Sequence, residues 1–324
     1  MPLPSGCGVC GKDDRVLRCS GCRVMLYCSV EHQTAHRRKH KSACSAIRRC
    51  RITMENEERV LRDHPDNIFT YGIGHFWKIH ETRPYMRYRA ALSDTMTAVN
   101  HVESLQKQLN ILIDNLYLSR GDNMGSRDVI PSLMIRLQQD QECYDFLKWW
   151  ATTGQQDDYD WGNNTLPYLD VRNANPLEPV DIFCGRWIDL PHLVAVTLVK
   201  VKVLQVLQGL LEDMGRPDGM THMPELGFCP STISNNPNII TCDKRVEIGR
   251  LKAQIRALYN DVHKLNAHFW PALMNPGKHL DAKPMRFSVG SVEQMQMALN
   301  FTYEAWDEAP GAIAIIKKCS EGKL

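Results

Sequence analysis

The chain has 324 residues, of which 43% are hydrophobic and 23% are charged. These values are ordinary for a soluble globular protein, and a chain of this length can bury a sizeable core, so it does not need metals or disulfides throughout to fold. The length leaves room for a small module beside one or two larger domains.

Positive charge and cysteine are both concentrated at the start of the chain. The formal net charge is only +2, but residues 1–52 carry eleven lysines and arginines against three acidic residues. Seven of the twelve cysteines lie in the first 50 residues. The N-terminus has neither the charged region nor the apolar stretch of a secretory signal. We therefore expect an intracellular, reducing compartment, nuclear or cytoplasmic, in which the clustered thiols bind metal.

A regular series of cysteines and histidines fills residues 7–44, with the spacing C-x2-C-x8-C-x2-C-x5-C-x3-H-x7-H-x3-C. Its members are Cys7, Cys10, Cys19, Cys22, Cys28, His32, His40 and Cys44. Each C-x2-C pair suits a tight turn whose two sulfurs converge on one ion, and each i, i+4 pair shares one face of a helix. Four pairs complete two tetrahedral shells without an open position, which predicts two structural Zn²⁺ ions.

The run YCSVEHQTAHRRKHKSAC within this series resembles the second half of a MYND-type zinc finger. In that family the ligand pairs interleave between the two ions. The resemblance implies one zinc ion on Cys7, Cys10, Cys28 and His32, and a second on Cys19, Cys22, His40 and Cys44. The family usually has cysteine where His32 stands, and histidine is an equally good zinc ligand. The spacing is complete without His36, so we expect His36 to be either a surface residue or a residue beside the ligands.

The resemblance also implies a partner surface, because MYND fingers mainly bind proteins and several hold proline-containing peptides in a groove on the C-terminal helix. The best-matching pattern has glutamine after the sixth ligand and tryptophan four residues later. Gln33 is present here, but Arg37 replaces the tryptophan. Loss of the aromatic wall makes an acidic protein partner the better expectation. The candidate partner surface consists of Gln33, Arg37, Arg38 and Lys39.

The same basic run leaves a second interpretation open. Residues 37–41 read Arg-Arg-Lys-His-Lys, and further arginines follow at positions 48, 49 and 51. Such a run can bind nucleic acid. No aromatic residues are interleaved with it to stack on bases, so a solvated helix face is favoured and nucleic-acid binding stays an alternative.

After a finger domain at residues 1–50, residues 51–324 are predicted to form a mostly α-helical domain. Amphipathic spacing and helix-ending prolines predict the main helices. They cover residues 51–64, 105–117, 127–137, 141–151, 190–212 and 243–273, with a final one from Ser291. Two stretches, residues 153–189 and 214–241, are rich in Gly, Asn, Asp and Pro and are predicted to be irregular. The predicted fold class is therefore a small cross-braced two-zinc finger followed by a larger helical domain.

The segment at residues 190–211 is apolar and long enough to cross a bilayer. Lys200 and Lys202 lie at its centre, where each lysine would cost about 2.5–3.5 kcal/mol on insertion. We therefore expect a buried helix that starts near Pro191, and no membrane association.

No motif in the helical domain predicts an enzyme. The Asn-His-Ser-Cys and Gly-Glu-Glu-Leu runs of SET-type methyltransferases are absent, as are a P-loop, G-x-S-x-G and H-E-x-x-H. The body resembles MYND-finger proteins of filamentous fungi whose activity is unassigned. We therefore predict an intracellular interaction or regulatory protein rather than an enzyme. An enzyme of unknown class in the helical body and a nucleic-acid-binding regulator remain the alternatives.

Overall fold

The structure is a computed structural model that describes residues 3–184, 189–214 and 231–324. Across these ranges the chain forms twelve α-helices and one two-stranded sheet, which confirms the predicted mostly α class. The chain divides into two compact units. The first unit comprises residues 2–133 and 160–167, and the second comprises residues 134–159 and 168–324.

A short antiparallel hairpin opens the first unit. Strand β1 covers Leu17–Arg18 and strand β2 covers Leu26–Tyr27, with Leu17 paired to Tyr27. Both residues of β2 are buried, and β2 leads directly into the first helix. These are the only two strands in the described part of the chain.

Helix α1 (Val30–Arg62) runs for 33 residues. Ser29 caps its start, because the Ser29 side chain accepts a hydrogen bond from the His32 N–H, one of the donors that a first helical turn leaves unpaired. The helix continues past Cys50 and ends just before Pro65, which confirms the polar helix predicted there. The predicted domain boundary at residue 50 stays a prediction.

Four further helices complete the first unit, and one buried cluster connects the finger to two of them. The helices are α2 (Ile68–Tyr71), α3 (Arg83–Met96), α4 (Val102–Leu118) and α5 (Ser126–Arg136), of which α5 extends into the residues of the second unit. Cys19 and Cys22 pack in the same buried cluster as Ile47 of α1, Leu92 of α3 and Ile111 of α4. The finger therefore shares its core with α3 and α4.

The second unit is built from seven helices in the described part of the chain. They are α6 (Asp140–Ala151), α7 (Leu190–Met214), α8 (Pro237–Thr241), α9 (Lys244–Leu265), α10 (Phe269–Met274), α11 (Val292–Glu308) and α12 (Ala312–Ser320). Helix α7 packs against α6, α9, α11 and α12. Trp149, Trp270 and Trp306 are fully buried in this unit, and Ser291 caps α11 as the sequence predicts. Large indole rings thus supply much of the apolar area in this core.

Both lysines of helix α7 are buried. The Lys202 Nζ atom lies 2.6 Å from Asp140 Oδ2, and Lys200 Nζ donates to two backbone carbonyl oxygens at 2.8 Å each. Burial lowers the pKa of Lys200 to about 7. Within the described residues, α7 is the one helix long and apolar enough to span a membrane by length and composition. A core helix passes the same test, and 72% of the apolar window of α7 is buried inside the protein.

The helix predicted over residues 243–273 is wrong in its length, because α9 and α10 are separated at Asn266. The Asn266 backbone leaves the helical region, with φ −154° and ψ 101°. Its side-chain amide donates instead to Ser291 O at 2.9 Å and to Gln294 Oε1 at 3.1 Å, at the start of α11. Pro271 reinforces the break, since proline inside a continuous helix would clash with the carbonyl one turn earlier.

The two predicted irregular stretches are described in part. Residues 153–184 contain only two short 3-10 turns, Thr153–Gln155 and Asp181–Phe183. The second stretch contains a 3-10 turn and helix α8 near its end. Residues 185–188 and 215–230 of these stretches lie outside the described residues.

Candidate metal centre

The first cluster of predicted ligands brings together Cys7, Cys10, Cys28 and His32. The Cys7 Sγ atom lies 3.5 Å from His32 Nδ1, and Cys28 Sγ lies 3.2 Å from the same nitrogen. The sulfurs of Cys10 and Cys28 are 3.6 Å apart. All four ligand atoms lie within 4.8 Å of one another, so a single ion can contact all of them.

The second cluster brings together Cys19, Cys22, His40 and Cys44. The sulfurs of Cys19 and Cys44 are 3.7 Å apart, and Cys22 Sγ lies 3.2 Å from His40 Nε2. Cys19, Cys22 and His40 are buried, whereas two of the ligands in the first cluster are only half-buried and Cys10 is exposed. The second site is therefore the more deeply enclosed of the two.

The spacing of the ligand atoms fits tetrahedral zinc. Bonds of about 2.3 Å to sulfur and about 2.1 Å to nitrogen place the corners of a tetrahedron about 3.6–3.8 Å apart. The shortest separations between ligand atoms in the two clusters run from 3.2 to 3.7 Å, and all the others are within 4.8 Å. Each set contains three cysteines and one histidine and has no open corner, which is the ligand set of structural zinc. The interleaved pairing is present, and the predicted pair of zinc sites is confirmed.

Two tight turns place the C-x2-C ligands. In the first turn, the Gly11 N–H donates to Cys7 O at 2.8 Å, and Gly11 has φ 72°. In the second turn, the Arg23 N–H donates to Cys19 O at 2.9 Å, and Arg23 has φ 63°. Left-handed backbone is free of strain at glycine but costs about 1–2 kcal/mol at arginine. The second turn therefore carries strain next to a metal site, which metal binding can offset.

The second cluster is tightly packed on its outer side. A Cβ atom added at Gly21 would lie 2.6 Å from Cys44 Sγ, so no larger residue fits between this turn and α1. Arg51 donates to the Gly21 carbonyl oxygen at 3.1 Å. The Gln33 side-chain amide lies 3.7 Å from Cys19 Sγ as an N–H···S contact. These contacts orient the thiols of the second site, as outer-shell groups do at metal centres.

His36 lies between the histidine ligands on α1 but belongs to neither cluster. Its Nδ1 atom is 3.0 Å from the Tyr27 hydroxyl, and its ring stacks on His40 with centroids 5.7 Å apart and an interplanar angle of 13°. His36 therefore supports a ligand, in agreement with its predicted place beside the metal site. The supporting role of Tyr27 was not predicted, since a tyrosine beside a ligand cysteine has no distinctive spacing.

The electrostatics of the second cluster favour a bound dication. Burial raises the pKa of the Cys22 thiol to about 12, and the neighbouring Cys19 and Cys44 contribute to that increase. Burial also lowers the pKa of His40, with smaller contributions from His36 and Arg37, which keeps the imidazole neutral as a ligand must be. A Zn²⁺ ion reverses the first effect because it stabilises the thiolates. Closed shells of this kind hold structure and leave no position for a substrate.

The candidate partner residues lie on the first half of α1, and most of them face solvent. Arg37, Arg38 and Lys39 are exposed, whereas Gln33 is half-buried against the second zinc site. Six exposed cations between residues 37 and 49 of α1 form no ion pair with any described residue: Arg37, Arg38, Lys39, Lys41, Arg48 and Arg49. The second half of α1 differs, since Arg51 pairs with Glu55 and Arg62 pairs with Glu58.

Comparison with known proteins agrees with this geometry. The family model of the MYND finger matches residues 7–44. Egl nine homolog 1 of Homo sapiens is 50% identical to this chain over 38 residues, and Egl nine homolog 1 of Mus musculus is 47% identical over 38 residues. These matches span 12% of this chain and about a tenth of each relative. No solved structure matches the chain significantly. Because the matched range contains both ligand clusters, residues 7–44 are a MYND finger.

Proposed function

We propose that the protein is an intracellular interaction or regulatory protein whose finger binds an acidic segment of a protein partner. MYND fingers are generally protein-interaction modules, and the closed zinc shells support a scaffold role for the metal. The proposal includes no catalytic role for the helical body and no membrane association.

The observation that carries this proposal is the set of six exposed cations between residues 37 and 49 of α1 that form no ion pair with a described residue. Only Glu31 opposes them between residues 30 and 50. Arg37, Lys41 and Arg48 are four and seven residues apart, so they follow one side of the helix over about 16 Å. Cations without internal partners direct their field outward and favour an acidic ligand. A peptide with several carboxylates at this spacing would neutralise them.

Two further features favour acidic side chains over proline rings. Arg37 stands where an aromatic wall would hold a proline, and it is exposed. The Gln33 amide lies against Cys19 Sγ, so it has less freedom to contact a partner. The exposed cations of α1 are then the groups available to recognise a ligand.

The test measures binding of three fluorescent probes to the full chain by anisotropy. The probes are an acidic peptide of twelve residues, a proline-rich peptide without acids, and a duplex DNA of twenty base pairs. We expect the acidic peptide to bind most tightly and its affinity to fall between 50 and 200 mM salt, because the surface charges are screened. Tighter binding of the proline-rich peptide would contradict the acidic preference.

Matched variants locate the surface. Replacing Arg37, Arg38 and Lys39 together by alanine should weaken acidic-peptide binding by about tenfold or more, since surface charge contacts contribute a few tenths to 1 kcal/mol each. The control, Arg59→Ala, removes an exposed cation from the same helix outside the finger and should leave binding unchanged. If DNA binds most tightly and the triple variant abolishes that binding, the nucleic-acid alternative replaces the proposal.

A further inference from the structure

A second surface lies far along the chain from the finger, in residues 282–289 of the second unit. This segment joins the 3-10 turn Gly277–Asp281 to helix α11 and forms no regular secondary structure up to residue 288. Three large apolar side chains on it face solvent. Met285 is 96% exposed, Phe287 is 47% exposed and Val289 is 75% exposed. Exposed apolar residues grouped on one short segment mark an interaction surface.

Both ends of the segment are fixed to helix α11. The Asn300 side chain donates to Ala282 O at 2.7 Å, and the Gly290 N–H donates to Gln294 Oε1 at 2.7 Å. Between these anchors, none of the backbone N–H groups of residues 285–289 donates a hydrogen bond to a described residue. The segment is therefore held at its ends and open to solvent along its backbone.

The sequence of the segment suits a strand that lacks its sheet. The apolar residues stand at alternate positions, which places them on one face in an extended chain. Phe287 and Val289 are of the types enriched in strands, and Pro284 disfavours helix at the preceding residue. A strand of this kind normally buries its apolar face and pairs its backbone, and among the described residues nothing covers the exposed apolar side chains or pairs with these N–H groups.

We propose that residues 282–289 add as a strand to the edge of a β-sheet in a partner protein with an acidic surface. Main-chain pairing would satisfy the open N–H groups, and pockets on the partner would accept the apolar side chains. The acidic preference follows from Lys283 and Arg286, which form no ion pair with a described residue. This surface is independent of the finger, so the proposal does not rest on what the finger binds.

A second copy of the chain is a less suitable partner for residues 282–289 than an acidic protein. Antiparallel self-pairing that sets Met285 opposite Phe287 also sets Arg286 opposite Arg286 of the second copy. Like charges directly opposite each other destabilise a strand pair. A partner with carboxylates along its sheet edge avoids this repulsion, and it also complements Lys283.

The test uses photo-cross-linking in the native cells of the protein. The full chain carries benzoylphenylalanine at Ser288, which is exposed and leaves the apolar face intact. A control chain carries it at Asn260, an exposed residue of α9. The cross-linked residue is then identified on both chains by mass spectrometry. We expect products that are specific to position 288 and that map to an outermost β-strand of an acidic protein. No specific product, or products on helices and loops, would overturn the proposal, as would cross-links to a second copy.

Variants in the same assay test the apolar face. Phe287→Ser combined with Val289→Ser should lower the cross-linking yield by about tenfold or more, because two buried apolar side chains are lost. The matched control is Ile240→Ser, which removes an exposed apolar residue of α8 outside the segment and should not change the yield. Equal yields in the variant and the control would remove the role of the apolar face.

Amide exchange tests the strand itself, measured by NMR on the full chain with the cross-linked partner added in excess. Only one edge of an added strand faces the sheet, so the N–H groups of alternate residues pair with it. We expect exchange of every second amide among residues 285–289 to slow by about tenfold or more. Uniform protection, or none, would show that the segment docks without adding a strand.

Discussion

The finger and the second unit reach a stable interior by different routes. The finger buries cysteine thiols, including Cys7 and Cys22, around two sites for metal. The second unit buries indole rings and long aliphatic helices, and its buried Lys202 pairs with the buried Asp140. A segment of about 40 residues buries too little apolar surface to fold on hydrophobic contacts alone, whereas the second unit has enough chain for a core of its own.

Because of this difference, we expect the two regions to respond to different perturbations. Removal of a zinc ligand should destabilise the finger and spare the second unit. The folding free energy of the second unit does not depend on metal. Disruption of a buried ion pair should affect the second unit and spare the zinc sites. The finger shares a buried cluster with α3 and α4, which contains Cys19, Cys22, Leu92 and Ile111. Unfolding of the finger should therefore also destabilise α3 and α4.

The largest effect is expected for Cys28→Ser. This change removes one of four ligands from the first site, and structural zinc supplies on the order of 10 kcal/mol of folding free energy per ion. Native mass spectrometry should show two zinc ions in the wild type and at most one in the variant. Hydrogen exchange should become fast in residues 7–44 and faster in residues 83–118, with slow amides retained in α7.

The control for this prediction is Cys50→Ser, which changes a cysteine of α1 that belongs to neither cluster. It should keep two zinc ions. A wild type that carries one zinc ion or none would refute the sites as described. Loss of slow exchange in α7 would show that the second unit depends on the finger for its stability.

A smaller effect is expected for Asp140→Asn in the second unit. The Lys202 side chain is 11% exposed, and the change leaves its ammonium group without a carboxylate. Breaking one side of a buried pair costs about 3–5 kcal/mol of unfolding free energy. Denaturant unfolding followed by tryptophan fluorescence should show this loss, and the zinc content should stay at two.

Two further variants test whether the loss of stability comes from the unpaired buried charge. Replacing the pair by Asp140→Leu with Lys202→Met should recover much of the loss, because no buried charge remains. Lys264→Met removes the 75% exposed side of the ion pair with Asp261 and should change stability by less than about 1 kcal/mol. A loss below that size for Asp140→Asn would mean that water reaches Lys202.

The smallest effect is expected for Gly21→Ala. The added methyl group would lie 2.6 Å from Cys44 Sγ, so the ligand or the turn must move. We expect zinc affinity at the second site to fall by about ten- to a hundredfold, the range seen when groups around a ligand are disturbed. Competition with a chelator should remove one zinc ion early and the other at the wild-type concentration. Gly121→Ala, whose added Cβ meets nothing within 4 Å, should behave as wild type.

Much of the metal site could be predicted from sequence because zinc ligands obey short-range rules. The spacing alone identifies the four ligand pairs. It is wrong in placing Cys28 on a helical turn with His32, because α1 begins only at Val30 and Cys28 precedes the N-cap Ser29. The assignment of pairs to ions needed the family resemblance, since spacing alone does not say which turns meet in space. The contact between Tyr27 and His36 was missed because no local pattern carries it.

The helices were predicted well where the apolar spacing was regular. They were predicted poorly where a contact with a distant part of the sequence determines where a helix ends. Helix α4 follows its apolar stripe, and Pro65 correctly limits α1. The break at Asn266 depends on hydrogen bonds to Ser291 and Gln294, which are 25 and 28 residues away. The shared core of the finger with α3 and α4 is equally long-range. Such contacts are fixed by the fold, and a single sequence contains no signal for them.

The length of α1 also has a mechanical consequence. At about 1.5 Å per residue, its 33 residues make a rod of about 50 Å. Its first turn carries the zinc ligand His32, and near its last turn Leu61 packs with Phe76 and Tyr85. A force applied to the finger would therefore be transmitted along one continuous helix to this hydrophobic cluster. The two zinc sites lie at the N-terminal end of this path, where they join the finger to α1.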